Sequence, residues 1–220
     1  MEDLSRNQAV RYWKTGRVEA VSDGVFAIAL TLLVIDIRVA PGEYRHLVHA
    51  LVEEWPGYLA YLTSFVTIGG VWLAHHSLFT RLKFIDSWLL TINLVLLMAV
   101  AFLPFPTGVL AQALNSSAEA QDSAVVFYGI SALSVELVLG FLEHYPETRL
   151  GLTTDDGTRE PARHTRHRRI TISTIAYAVA IPVGLTLPDV AALAYLAIAI
   201  GIVGVTASQA NVAPRKPKRR

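Results

Sequence analysis

Four stretches of this sequence contain no Asp, Glu, Lys or Arg: Trp55–Thr80, Ser87–Ala118, Ile170–Pro188 and Val190–Pro214. Each is near or above the roughly 20 apolar residues that a membrane-spanning helix needs. A water-soluble domain distributes its apolar residues as stripes on amphipathic elements, whereas here they lie in blocks. With 53% hydrophobic and 17% charged residues among 220, and a mean hydropathy of +0.42, the chain does not read as a soluble enzyme. It has no cysteine, which removes a disulfide framework and any thiolate metal site.

Two further blocks read as spans with polar exceptions. One, about 123–142, is interrupted by Glu136, and the other, about 18–39, carries Asp23 near one end and Asp36 near the other. Pro104 and Pro106 break the long Ser87–Ala118 block, so its span is expected to end near Leu103 with a loop beyond. The expected organisation is an all-α, polytopic unit without internal repeats. A cytoplasmic tail (1–17) precedes a six-helix domain (18–210) and a basic cytoplasmic tail (211–220). The spans fall at about 18–39, 57–80, 87–103, 123–142, 170–187 and 190–210. Of the 19 Lys and Arg, only Arg38 and Arg45 fall on the second side of this layout, so the positive-inside rule puts both termini in the cytoplasm. No cleavable leader pattern precedes the first span, which serves as its own insertion signal. The basic runs His164–Arg169 and Arg215–Arg220 are read as topology signals that attract anionic lipid, with no nucleic-acid partner implied.

Polar residues inside a membrane helix are costly, which makes the first span the informative one. At about 100° per residue, Val21, Gly24, Ile28, Thr31, Leu32 and Ile35 fall in one uncharged arc about 100° wide. Ser22 and Asp23 point away from that arc, toward neighbouring helices or subunits. Trp72, His75 and His76 on the second span, Asn93 on the third, and Arg17 are candidate partners for the Asp23 carboxylate, since indole, imidazole, amide and guanidinium groups can all donate to it. The alternative is that His75 and His76 are interfacial residues beside Arg81 and Asp86. The two histidines are adjacent, so they diverge by about 100° on a helix and lack the spacing of helical metal ligands. Asp36 either contributes to an acidic ring at an outer pore mouth or is an exposed neighbour of Arg38. Glu136 is assigned no role. One uncharged stripe cannot enclose a pore, so several copies would have to converge on it.

The run Arg17-Val18-Glu19-Ala20-Val21-Ser22-Asp23, continued by Gly24-Val25-Phe26-Ala27-Ile28 and Thr31-Leu32-Leu33-Val34, resembles the Arg-x-x-x-Phe-Ser-Asp signature of the endolysosomal potassium channel family, transmembrane protein 175. Trp72 with His75-His76, and Asn93 followed by Phe102-Leu103-Pro104-Phe105-Pro106, resemble the family's later blocks, so the likeness covers roughly 15–110. Val21 stands where the signature has Phe. The resemblance implies six spans without a re-entrant filter, and a bacterial tetramer in the plasma membrane whose first helices line the pore. It implies a hydrophobic constriction at Ile28, Leu32 and Ile35, and a threonine, Thr31, linked to potassium preference. It implies moderate potassium selectivity, with no enzymatic activity, no cofactor and no metal beyond the permeant potassium ion. Thr67-Ile68-Gly69-Gly70 only faintly echoes a carbonyl filter and lacks the Tyr-Gly that would follow. The rival reading is a proton- or cation-coupled transporter with Asp23, His75 and Glu136 as a relay. A membrane enzyme is disfavoured because no nucleophile motif accompanies these residues.

Overall fold

The structure, a computed structural model, describes residues 13–39, 42–148 and 159–210, with the side chains of 43, 159–166 and 209–210 outside the description. Residues 1–12 of the expected N-terminal tail, the expected tail 211–220 and residues 149–158, the first part of a basic connection expected at 149–169, lie outside the described residues. The described residues form eight α-helices in order: α1 Thr15–Leu32, α2 Leu47–Glu53, α3 Trp55–Phe79, α4 Ser87–Phe102, α5 Pro104–Ala113, α6 Ala118–Thr148, α7 Arg159–Val183 and α8 Pro188–Ala210. A 3-10 turn, Leu33–Asp36, continues α1. Among the described residues the only β pairing is a bridge in which Trp13 and Ile85 exchange two backbone hydrogen bonds of 2.9 and 3.2 Å, pinning the start of α1 to the α3–α4 connection.

Among the described residues, five segments are long and apolar enough to cross a membrane: Thr15–Asp36, Trp55–Phe79, Ser87–Ala113, Ala118–Thr148 and Pro188–Ser208. The 25 residues of α3 extend about 37 Å at 1.5 Å per residue, more than a hydrocarbon core of about 30 Å. The remaining expected span, 170–187, falls mainly on α7, whose 25 residues begin with basic turns and become apolar only over 170–183.

One expectation is corrected here. The segment after Leu103 was expected to be a loop, but it is the helix α5. Leu103 keeps helical angles (φ −58°, ψ −34°) and Pro104 opens α5. Proline is tolerated in a first turn, where its missing N–H costs nothing, so it divides the helix without ending it. Capping sets the start of α4: the Asp86 side chain accepts from Leu89 N–H at 2.8 Å, and its second oxygen accepts from the Tyr145 hydroxyl of α6 at 2.7 Å.

Two buried apolar clusters organise the packing. The first joins α1, α3, α4 and the second half of α6 through Phe26, Leu33, Val71, Leu96 and Leu139. The second joins α5, the first half of α6, α7 and α8 through Leu110, Tyr128, Tyr177 and Tyr195. Helix α3 links them, because it packs against α8, α5 and α1. Small residues set the closest approaches, as in other membrane bundles. A Cβ at Gly70 would lie 3.0 Å from Val203 of α8, and one at Gly129 would collide with Tyr195. Gly70 and its buried neighbours Thr67 and Ile68 are thus helix-packing residues.

The two faces of the first helix

Helix α1 is sharply divided. Ser22, Phe26, Ala29 and Leu33 recur at the three- and four-residue spacing of one helix face and are at most 1% exposed. The opposite face carries Val21 at 61%, Ile28 at 61%, Leu32 at 40% and Ile35 at 50% exposure. Thr31 is exposed beside them, and a Cβ at Gly24 would meet nothing within 4 Å. The residues grouped by the helical wheel therefore share one face, and no other part of the described chain covers it. Only 22% of the apolar window of this span is buried, against 33–56% for the other four.

The Thr31 hydroxyl donates to the Ile28 carbonyl at 2.9 Å. Donation uses its proton and leaves its lone pairs on an exposed oxygen, which are the electrons a cation would need.

The covered face is held by three polar links, not by one knot around Asp23. In the buried link, Asn93 Nδ2 of α4 donates to Ser22 Oγ at 3.1 Å, Ser22 Oγ donates to the Val18 carbonyl at 2.9 Å, and Asn93 Oδ1 pairs with His75 Nε2 of α3 at 2.9 Å. With its Oδ1 as acceptor, the amide requires His75 to carry its proton on Nε2. That ring stacks on Phe79 at 4.1 Å between centroids and tilts against Phe26 at 5.3 Å. In the second link, Trp72 Nε1 donates to Asp23 Oδ1 at 2.9 Å. The third, missed in the sequence, joins His76 Nδ1 to Glu19 Oε1 at 3.1 Å, with the His76 ring stacked on Trp72. Glu19 stands four residues before Asp23, so both carboxylates lie on the same side of α1 toward α3. Arg17 joins none of these links. It is exposed, makes no hydrogen bond or ion pair with another described residue, and lines a surface groove with Lys14, Val18, Val21 and Leu94.

This arrangement coincides with the part of the chain that is similar to known proteins. The sequence profile of the family described as Endosomal/lysosomal potassium channel TMEM175 matches residues 17–104, which take in nearly all of α1 and the whole of α3 and α4. A potassium channel of Streptomyces collinus is 39% identical over 169 residues, covering 74% of this chain and 79% of that protein. A crystal structure of a lysosomal potassium-selective channel TMEM175 homolog from Chamaesiphon minutus superposes with a TM-score of 0.76 at 31% identity, covering 87% of this chain and 97% of that one. The chain belongs to the TMEM175 family. It is a multi-pass membrane protein of a channel family, not of an enzyme family. The chicken protein named endosomal/lysosomal proton channel TMEM175 is 37% identical over 145 residues, which cover 29% of that longer protein.

Outside the matched segment the polar chemistry changes. Arg169 of α7, read in the sequence as part of a lipid-attracting basic run, is a buried helical residue. Its guanidinium is 2.6 Å from Glu143 of α6, with both side chains at most 4% exposed, and reaches Thr206 of α8 at 3.5 Å. Glu136, two turns earlier on the same face of α6, is buried and accepts from Ser173 of α7 at 3.2 Å. Among the described residues the hydrogen-bond partner of Glu136, Ser173, is not shared with His75 or Asp23, the other two residues of the relay considered for a transporter. Asp36 is half-buried, and a Cβ at Gly108 would lie 2.8 Å from its carboxylate. The acid is therefore turned toward α5 and away from the exposed stripe.

Proposed function

We propose that this TMEM175-family chain is one protomer of a potassium-selective cation channel of the bacterial plasma membrane. Four copies place their α1 helices around a common axis, with α7 as the sixth membrane crossing and both termini in the cytoplasm. The observation that carries the reading is the division of α1: three polar links hold one face, while the uncharged opposite face is left open over its whole length. A helix positioned that firmly and buried that little is suited to meeting copies of itself. The named potassium channel relatives support the choice of ion.

In this arrangement Ile28, Leu32 and Ile35 form stacked apolar rings, one helical turn or less apart. A narrow apolar throat gates by dewetting and favours the ion that sheds its water at lower cost, potassium over sodium. The exposed Thr31 oxygen, oriented by its bond to Ile28, supplies partial coordination between the rings. Ser22, Asp23, Trp72, His75, His76 and Asn93 hold the helix in register and do not touch the ion. Asp36, turned toward α5, is a brace for the 3-10 turn in this account and not part of an outer acidic ring. No cofactor is required beyond the permeating ion.

The test is passive flux. Protein reconstituted in liposomes with a potassium gradient should carry voltage-driven potassium current, and Ile28→Asn or Leu32→Asn should raise conductance and erode the potassium preference. Flux that requires a coupled proton gradient would favour a secondary transporter instead.

A further inference from the structure

Glycine 140 brings α6 and α7 together: a Cβ there would lie 3.1 Å from Ile170. One turn beyond it on α6 stands His144, and three residues before Ile170 on α7 stands His167, so the same close approach brings two imidazoles together. Their rings meet edge to face at 5.9 Å between centroids. Glu147 follows His144 at the i, i+3 interval that puts both on one face of α6, and its carboxylate is 3.8 Å from His167 Nε2. The three ligand atoms lie within 4.8 Å of one another. They border a cavity of about 190 Å³ between the helices.

We propose that His144, Glu147 and His167 bind a divalent transition-metal ion, with Zn²⁺ best matched to their chemistry, and that the bound ion fastens the end of α6 to α7. Two imidazoles and one carboxylate are borderline nitrogen and oxygen donors. They suit zinc and its transition-metal neighbours and do not suit calcium, magnesium or potassium, which take oxygen ligands. Three protein ligands leave the fourth tetrahedral position to water, for which the cavity has room. Bonds of about 2.0–2.1 Å to a tetrahedral ion would require ligand atoms about 3.4 Å apart. The His167–Glu147 pair at 3.8 Å is already close to that. His144 is exposed and the His167 side chain is 44% exposed, so rotamer adjustment can close the rest. Arg169, the buried cation on α7 among the described residues, is matched by Glu143 at 2.6 Å and does not oppose a second positive charge. The site lies outside residues 17–104 and is independent of the pore reading.

The experiment uses full-length protein without a polyhistidine tag, treated with chelator in detergent. Titration with Zn²⁺ should show one ion per protomer at this site and a raised melting temperature, and Co²⁺ should give the visible absorption of a tetrahedral complex. His144→Ala and His167→Ala, made separately, should each abolish the cobalt band and weaken zinc binding by at least about tenfold. Their metal-free melting temperatures and elution volumes should stay at the parent's values. His144→Gln and His167→Gln keep the side-chain bulk and carry the same expectation, should either alanine variant aggregate. Parent-like zinc affinity and cobalt spectra in both histidine variants would overturn the proposal, as would equal stabilisation of the parent by Mg²⁺.

Discussion

The two halves of this bundle bury polar groups in opposite ways. Around α1 the buried contacts are neutral and directional: an amide, an imidazole and a hydroxyl joined end to end, with the carboxylates of Asp23 and Glu19 kept at the less buried margin. Around α6 and α7 the central contact is a fully buried ion pair, Glu143–Arg169. Neutral hydrogen bonds fix distance and rotation at modest net energy, while a buried ion pair contributes little as a whole but is severely unbalanced when one partner is lost. The difference suits a division of labour. One region must hold a helix at a defined angle with its outer face bare, and the other must keep three helices together as a block.

The comparison breaks most visibly at the ion pair. Glu143→Ala leaves the Arg169 guanidinium buried with the 3.5 Å contact to Thr206 as its remaining hydrogen bond among the described residues, and the expected loss is about 3–5 kcal/mol. It should be seen as poor yield or a large fall in melting temperature, whereas Glu143→Ala together with Arg169→Met should recover most of it. A smaller effect is expected in the neutral network. Asn93→Leu strands Ser22 and His75 at about 1–3 kcal/mol, read as a moderate fall in melting temperature and a weakened oligomer on size exclusion. Trp72→Phe removes a single donor to the half-exposed Asp23 and should cost about 1 kcal/mol or less. Potassium over sodium selectivity in the surviving channels should be nearly unaltered in both network variants.

Thr31→Val should have the smallest energetic effect and the most specific one. The valine keeps the branched shape and removes the exposed oxygen. The potassium to sodium permeability ratio should fall between about twofold and tenfold, equivalent to about 0.4–1.4 kcal/mol. Melting temperature and oligomer size should not change. A parent-like ratio from reversal potentials would assign the hydroxyl to its Ile28 carbonyl alone and leave the apolar rings to discriminate.

How far the sequence discloses this molecule depends on the range of the interaction. Charge-free blocks locate the helices, because burying a backbone in lipid depends on length and composition alone. The helical wheel separates Ile28, Thr31, Leu32 and Ile35 from Ser22 and Asp23 because periodicity is local. Which residues meet across helices is not periodic. The pairing of Trp72 with Asp23 could be narrowed by chemistry and depth, but the His76–Glu19 contact and the exclusion of Arg17 depend on the rotation of α3 against α1. Arg169 looks like a loop cation in sequence because its partner lies 26 residues earlier, on another helix. Pro104 looks like a terminator because sequence does not say whether a proline stands inside a helix or opens the next one.

The central claim is that the open face of α1 borders the ion path and is not simply covered by lipid. Because the chain contains no cysteine, single substitutions can be probed without background. Potassium current through Ile28→Cys, Leu32→Cys and, as a buried control on the same helix, Phe26→Cys should be recorded before and after a charged, water-soluble thiol reagent. The account predicts rapid loss of current in the Ile28 and Leu32 variants and none in the Phe26 variant. Unchanged current at both stripe positions, in channels whose thiols are shown by mass to be unmodified, would place that face in lipid and contradict it.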